Sequence, residues 1–422
     1  MRHLTLASLA LAACTSAQQP AADQPGESVR GNLPASQPPF RVEKLGSFAE
    51  PFAMAFLPDG GLLVTEKAGA LKLRTADGGV TTVSGVPAVA TGGQGGLLDV
   101  AVAPDFARSR AVYFSYAEPR PTGSSLALAR ATLDLQQVQC VRAPCPPVAA
   151  LKDVRVLWRA GSDGKGGQFG AVIAFPPDGK SLFLASGERQ RFTPAQDPNQ
   201  ALGKILHLTL DGQPAPGNPN GGKTGEPTVA ITDPPANTGA AASAPVRLTP
   251  ARRPNTTPAE TWSGGHRNPY GLAFDAGGRL WEVEMGPKGG DEVNLIEPGR
   301  NYGWPRASNG DNYDGSDIPD HKAGDGFTAP RLWWNPSISP GGMIVYSGSL
   351  FPQWKGDLFV AALSAKALIR VHLSGAAAGP GDQWDMGTRI RDVAQALDGA
   401  IWLLEDDARG AGGQLMRLTP AK

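Results

Sequence analysis

The chain has no excess of charge: 39 Lys and Arg are matched by 39 Asp and Glu over 422 residues. Without a basic field to attract a phosphate backbone or an anionic membrane surface, nucleic acid is not an expected partner. Cysteine is scarce, with three copies. Cys140 and Cys145 have no histidine nearby, so as metal ligands they supply only half a zinc shell. Long apolar runs are missing as well. The one at the start, Leu4 to Ala13, is too brief to span a bilayer as a helix. What the chain does have is turn formers: 54 Gly and 39 Pro beside 41% hydrophobic residues. That mixture is too apolar for disorder and too interrupted for a helical bundle, and implies many short strands.

The opening Met1-Arg2-His3 followed by the short apolar run reads as a signal peptide over residues 1–13. Its end, Leu11-Ala12-Ala13-Cys14, resembles the bacterial lipobox, whose cysteine is lipidated; the alternative is ordinary cleavage after Ala17. A lipid on Cys14 implies a periplasmic location, anchored in the outer membrane, with that lipid as the only membrane contact. It also leaves Cys140 and Cys145 as an even pair in an oxidising compartment, where a local disulfide is expected and a metal site is the weaker alternative. Residues 14–39 are Gln, Ala, Pro, Ser and Gly with almost nothing to bury, and read as a flexible tether to a domain over 40–422.

Within that domain one pattern recurs six times: an apolar stretch, a Pro-Asp-Gly-like turn, and a second apolar stretch often ending near an acid. The clearest copies are Met54-Ala55-Phe56-Leu57-Pro58-Asp59-Gly60 before Leu62-Leu63-Val64, and Ile173 to Gly179 before Leu182-Phe183-Leu184. Looser copies start at Val100, Leu272, Met343 and Val393. Proline presets φ and Asp-Gly supplies the turn, so each copy predicts a hairpin of buried strands. Further alternating strands follow several copies, as in Ala70 to Leu73, Gly203 to Leu208 and Ala367 to Val371. Repeated units of three or four strands predict an all-β, six-bladed β-propeller of mostly four-stranded antiparallel blades, which leaves only short protected edges. Residues 214–258, rich in Pro, Gly, Asn, Thr and Ala, are expected to be a loop insertion on the surface.

Five words then appear in order: Gly93-Gln94-Gly95-Gly96-Leu97-Leu98-Asp99-Val100, Gly265-His266-Arg267-Asn268-Pro269, Gly286-Pro287-Lys288-Gly289-Gly290-Asp291-Glu292-Val293-Asn294, Asn301-Tyr302-Gly303-Trp304-Pro305 and Arg389-Ile390-Arg391-Asp392-Val393. From about Val42 onward the chain resembles the soluble aldose sugar dehydrogenases, also called glucose/sorbosone dehydrogenases. The resemblance implies pyrroloquinoline quinone and Ca²⁺ as cofactors, and oxidation of an aldose sugar or related alcohol at C1 by hydride transfer. A planar tricarboxylate calls for guanidinium forks, amide donors and a hard cation. Gln94, Arg267, Asn268, Arg389 and Arg391 are the candidate contacts; the last two, at i and i+2 on a strand, share a face. The resemblance gives the Ca²⁺ to the backbone carbonyls of Gly286 and Pro287, with Asp291 and Glu292 either binding metal or fixing the loop.

The chain departs from that pattern in three places. Met285 replaces a polar residue, and relatives' cofactor-binding lysine falls near Ser364, leaving Lys366 as a candidate substitute by same-face spacing. Gln168 stands where the resemblance places a general-base histidine. Glutamine has no ionisable group to take the sugar's hydroxyl proton. Glu188 is a candidate replacement if burial raises its pKa, with an ion pair to Arg189 as its alternative role. His207 and His266 belong to other elements, and His321 is expected to be solvated. The second reading of the chain is therefore a non-catalytic propeller binding a sugar, glycan or protein. A lactonase or other hydrolase would need several carboxylate or amide ligands around a central metal, and no such set is visible. The sequence names no electron acceptor and fits a monomer or a homodimer.

Overall fold

The computed structural model describes residues 26–30, 37–138, 146–161, 163–232, 246–406 and 412–421. Cys14, Cys140 and Cys145 lie outside the described residues. Six antiparallel units form the molecule, and each of the six repeats supplies the hairpin between a unit's innermost and second strands. The innermost strands are Pro51–Phe56, Leu97–Val102, Gly170–Ala174, Pro269–Phe274, Pro340–Val345 and Ile390–Gln395. Each packs against the innermost strands before and after it, and the sixth packs against the first, so the sheets close into a six-bladed propeller.

Every blade has four strands, but two features of the ring are non-local and escape a reading of repeats. The fourth strand of blade 6 is Phe40–Phe48, from the start of the domain, paired with Gly413–Pro420 at its end. Ring closure thus depends on ladder hydrogen bonds between the two ends of the chain. Phe40 seats this strand edge-on against Trp384, at 5.4 Å between ring centroids. The outermost strands of blades 1 and 2 also pair in parallel, Val83 opposite Ala149, and fuse those blades into one eight-stranded sheet.

The expected tether is not free of structure. Glu27–Arg30 pairs in parallel with Leu332–Asn335 on the outer edge of blade 4, and Val29 is buried in the core there. An edge strand offers unpaired backbone groups, and a single apolar side chain pins the segment that takes them. The insertion is also partly anchored. Thr228–Thr232 and Val246–Pro250 form a projecting hairpin, while the Asn218 amide donates to His207 O and Ala259 O at its base.

All six inner hairpins carry a register shift near the same end of the innermost strand. Bulges bend a strand and re-aim side chains, and here they turn Phe52, Tyr270 and Arg391 toward the axis. Below them a central cavity of about 480 Å³ contains Asp99 and Asp392. Asp392 Oδ2 accepts from Met54 N across the seam between blades 6 and 1 (2.8 Å), and Asp99 Oδ2 accepts from Ile173 N of the next blade (2.7 Å).

Burial pushes both carboxyls up, Asp99 to about 7 and Asp392 to about 8. An unfolded Asp titrates near ~4. The contribution of these groups to folding is complete below that value and is lost as pH rises through their folded values. Between pH ~5 and ~9 the melting temperature of the protein is therefore expected to fall, and Asp392→Asn to flatten the slope. Equal slopes in thermal melts of the two proteins would contradict this assignment.

Candidate active site

Two cavities open at the bulged ends of the inner strands. One, of about 390 Å³, is lined by Glu50, Lys67, Tyr270, Arg389, Arg391 and Asp406 among others. Its neighbour, of about 550 Å³, is lined by Gln168, Arg267, Asn268, Gly286, Pro287 and Asp291 among others. Gln94, Met285 and Ser339 border both. Residues from all five sequence words except Asn301-Tyr302-Gly303-Trp304-Pro305 thus meet in one funnel.

Arg389 and Arg391 do share a face, and both reach Asp406: Arg389 Nε to Oδ2 at 2.7 Å and Arg391 Nη2 to Oδ1 at 2.8 Å. Burial would raise the Asp406 carboxyl, but the two guanidiniums together hold it below the usual range. Asp406 follows the acid-ended second strand of its repeat, a pattern visible in the sequence whose role was not.

Arg267 is braced from three directions. Its Nη1 donates to Met285 O (2.9 Å) and Gly286 O (2.6 Å), its Nη2 donates to the Gln168 side-chain oxygen (2.8 Å), and its guanidinium lies 5.2 Å from the Trp304 ring centroid. Glu284 Oε2 accepts from the backbone N–H groups of Arg267 and Asn268. Gly286 sits in a turn so tight that a Cβ there would lie 2.4 Å from Gly289 O, and Asp291 Oδ1 accepts from its N–H at 2.8 Å. Asp291 also accepts from Ser339 N (2.7 Å), so its present work is to order the loop; burial raises it to about 7.

Gln168 is buried, in the left-handed region at φ 53°. Its N–H donates to Gln94 Oε1 at 2.6 Å. With its amide turned to satisfy both neighbours, Gln168 donates to Glu188 and accepts from Arg267. The Gly164–Gly167 loop ahead of it is held by Arg189, whose guanidinium stacks 3.7 Å from the Phe169 centroid and donates to the carbonyls of Ser124, Gly164, Gly166 and Gly167.

Four expectations are corrected. Glu188 lines neither cavity: it is buried behind Gln168 and accepts from the N–H groups of Gln190, Arg191 and Phe192. Burial raises its carboxyl, against these donors and the charge of Arg267. It has no direct path to a substrate, and Arg189 serves carbonyls rather than pairing with it. Glu292 points away from the funnel into a buried group with Glu282, Glu284 and Asn294, whose Nδ2 lies 3.0 Å from Glu282 Oε2 and 3.4 Å from Glu292 Oε2. His266 joins Glu284 there at 3.3 Å, and the ligand atoms of His266, Glu282 and Glu284 lie within 4.8 Å of one another. Lys366 is exposed in a turn at φ 52° and lines neither cavity, because strand spacing does not apply where the strand has ended. His321 is buried, not solvated, and burial lowers its pKa.

The glucose/sorbosone dehydrogenase family model matches residues 48–231 and 241–417. The chain belongs to that family. It is 36% identical over 382 residues to aldose sugar dehydrogenase YliI of Escherichia coli, covering 88% of this chain and 90% of that protein. The crystal structure of the soluble aldose sugar dehydrogenase from Escherichia coli in the apo-form superposes with a TM-score of 0.74 at 34% identity, over 90% of this chain and all of that one. The pyrroloquinoline-quinone-bound form of the aldose sugar dehydrogenase from Streptomyces coelicolor superposes with a TM-score of 0.67 at 29% identity, over 90% of this chain and 98% of that one.

The funnel fits a flat polyanion. Arg267 Nε is buried without a hydrogen-bond partner among the described residues, and the arginines of the smaller cavity bring two guanidiniums to one carboxylate. The Gly286 carbonyl accepts from Arg267 but, like any carbonyl, has a second lone pair.

Proposed function

We propose that this protein oxidises an aldose or related alcohol at C1, with pyrroloquinoline quinone and Ca²⁺ held in the funnel. The observation that carries the reading is the convergence of Arg267, Asn268, Arg389, Arg391 and Gln94 with the Gly286–Pro287 carbonyls. When bound, the quinone supplies the hydride acceptor and Ca²⁺ polarises it. The chain's part is to hold it: guanidinium groups pair with carboxylates, and Gln94 and Asn268 offer amides at the edge. Carbonyl oxygens suit Ca²⁺ without demanding particular side chains.

One observation favours a second reading. Gln168 has both ends of its amide engaged and offers no basic atom to a sugar hydroxyl, which describes a propeller that binds cofactor or ligand without turnover. The test is to load the purified protein with Ca²⁺ and pyrroloquinoline quinone and follow quinone absorbance after adding aldoses. Reduction is expected for the dehydrogenase. Retained but unreduced quinone supports the binding protein, and no retention of quinone overturns the cofactor assignment.

A further inference from the structure

The sequence offers Lys366 as the lysine that would complete the cofactor site, and the structure removes it. A different lysine stands in the funnel. Lys67 follows the second strand of blade 1, in the turn between Leu62–Glu66 and Ala70–Arg74, and lines the smaller cavity with Arg389 and Arg391.

Its position is set by backbone on both sides. Lys67 N donates to Glu50 O at 2.9 Å, and Lys67 O accepts from Leu97 N at 3.2 Å. The stem packs on Gly96 so closely that a Cβ there would lie 2.7 Å from Lys67 Cγ and 2.4 Å from Lys67 O. Gly96, at φ 143°, is therefore required both for its backbone and for this approach, and it joins Lys67 to the loop that carries Gln94.

The charges of the cavity are unevenly matched: Lys67, Arg389 and Arg391 line it with Glu50 and Asp406. Asp406 is already shared by Arg389 and Arg391. The Lys67 ammonium makes no hydrogen bond or ion pair among the described residues, although it is half-buried. Three cations thus line the cavity with two anions, and an entering carboxylate would meet the surplus positive charge.

We propose that Lys67 is a direct ligand of a cofactor carboxylate in the cavity it shares with Arg389 and Arg391, taking the place that sequence reasoning gives to Lys366. The inference rests on the quinone reading above and deepens it by naming a contact from blade 1.

Equilibrium titration of the Ca²⁺-loaded protein with pyrroloquinoline quinone, followed by tryptophan fluorescence, tests it without turnover. Lys67→Gln is expected to weaken binding about tenfold, as for loss of one charge-assisted contact, and to reduce the dependence of affinity on salt. Lys67→Arg keeps binding within about threefold, because the charge is retained. Lys366→Gln matches the unaltered protein, and melting temperatures of all three variants stay close to it. If the unaltered protein binds and Lys67→Gln binds equally well, the Lys67 assignment fails and the quinone reading stands. If the unaltered protein does not bind the quinone, both fail.

Discussion

Gln168→His raises aldose oxidation by the cofactor-loaded protein about 10²-fold or more, the scale of a general base restored to a site that lacks one. The surroundings are ready for it. Histidine tolerates the left-handed backbone that position 168 adopts better than most side chains. Glu188 lies where it can accept from one ring nitrogen and fix the tautomer, as it now accepts from the Gln168 amide. The other nitrogen then takes the lone-pair role toward the funnel, next to Arg267, whose charge opposes the pull of Glu188 toward the imidazolium form. Dye-coupled kinetics across pH, with quinone affinity measured in parallel, make the check. The gain should appear in kcat and rise with pH through the imidazole titration, with affinity nearly unchanged. A variant that binds quinone as before and oxidises no faster would place the base elsewhere and favour the binding protein.

Arg267→Ala is expected to weaken quinone binding by about 10² or more, in line with truncating one partner of a buried charged contact. The loss has two sources. The funnel gives up a buried cation, and Met285 O, Gly286 O and the Gln168 side-chain oxygen lose their donor. Unmet buried acceptors cost about 1–3 kcal/mol each, so the melting temperature falls as well. Arg267→Lys should recover little, because an ammonium cannot serve three acceptors with the planar fork that reaches them here. Titration and melting curves on both variants decide the matter. An affinity within threefold of the original would make Arg267 a brace for the Gly286 turn and nothing more.

What could be read from the sequence was what is local in the chain. Six Pro-Asp-Gly-like turns give six inner hairpins because a turn and its flanking strands are decided by neighbouring residues. Spacing at i and i+2 puts Arg389 and Arg391 on one side of an extended segment, and they meet at Asp406 for that reason. The same spacing rule misplaced Lys366, which lies in a turn where alternation no longer holds. The type and neighbourhood of Glu188 suit a base, but its direction depends on three consecutive N–H groups that wrap its carboxylate. Lys67 carried no signal at all. It is a lysine after a strand, and only the curvature of the ring brings it beside residues more than three hundred positions away. The strand from Phe40 and the edge strand from Glu27 carry no local signal for a similar cause, since their partners lie at the far end of the chain or in another blade.

The ring is a bracelet with a clasp, and the clasp is not covalent. Gln94 belongs to blade 2 and Arg391 to blade 6, so the funnel does not exist until the last-made strand has met one of the first. Anything gripped between Lys67 on one side of the seam and Arg389 on the other holds the fastening shut. Occupancy and closure therefore draw on a single free energy, and the empty protein is the one whose ends come apart more readily.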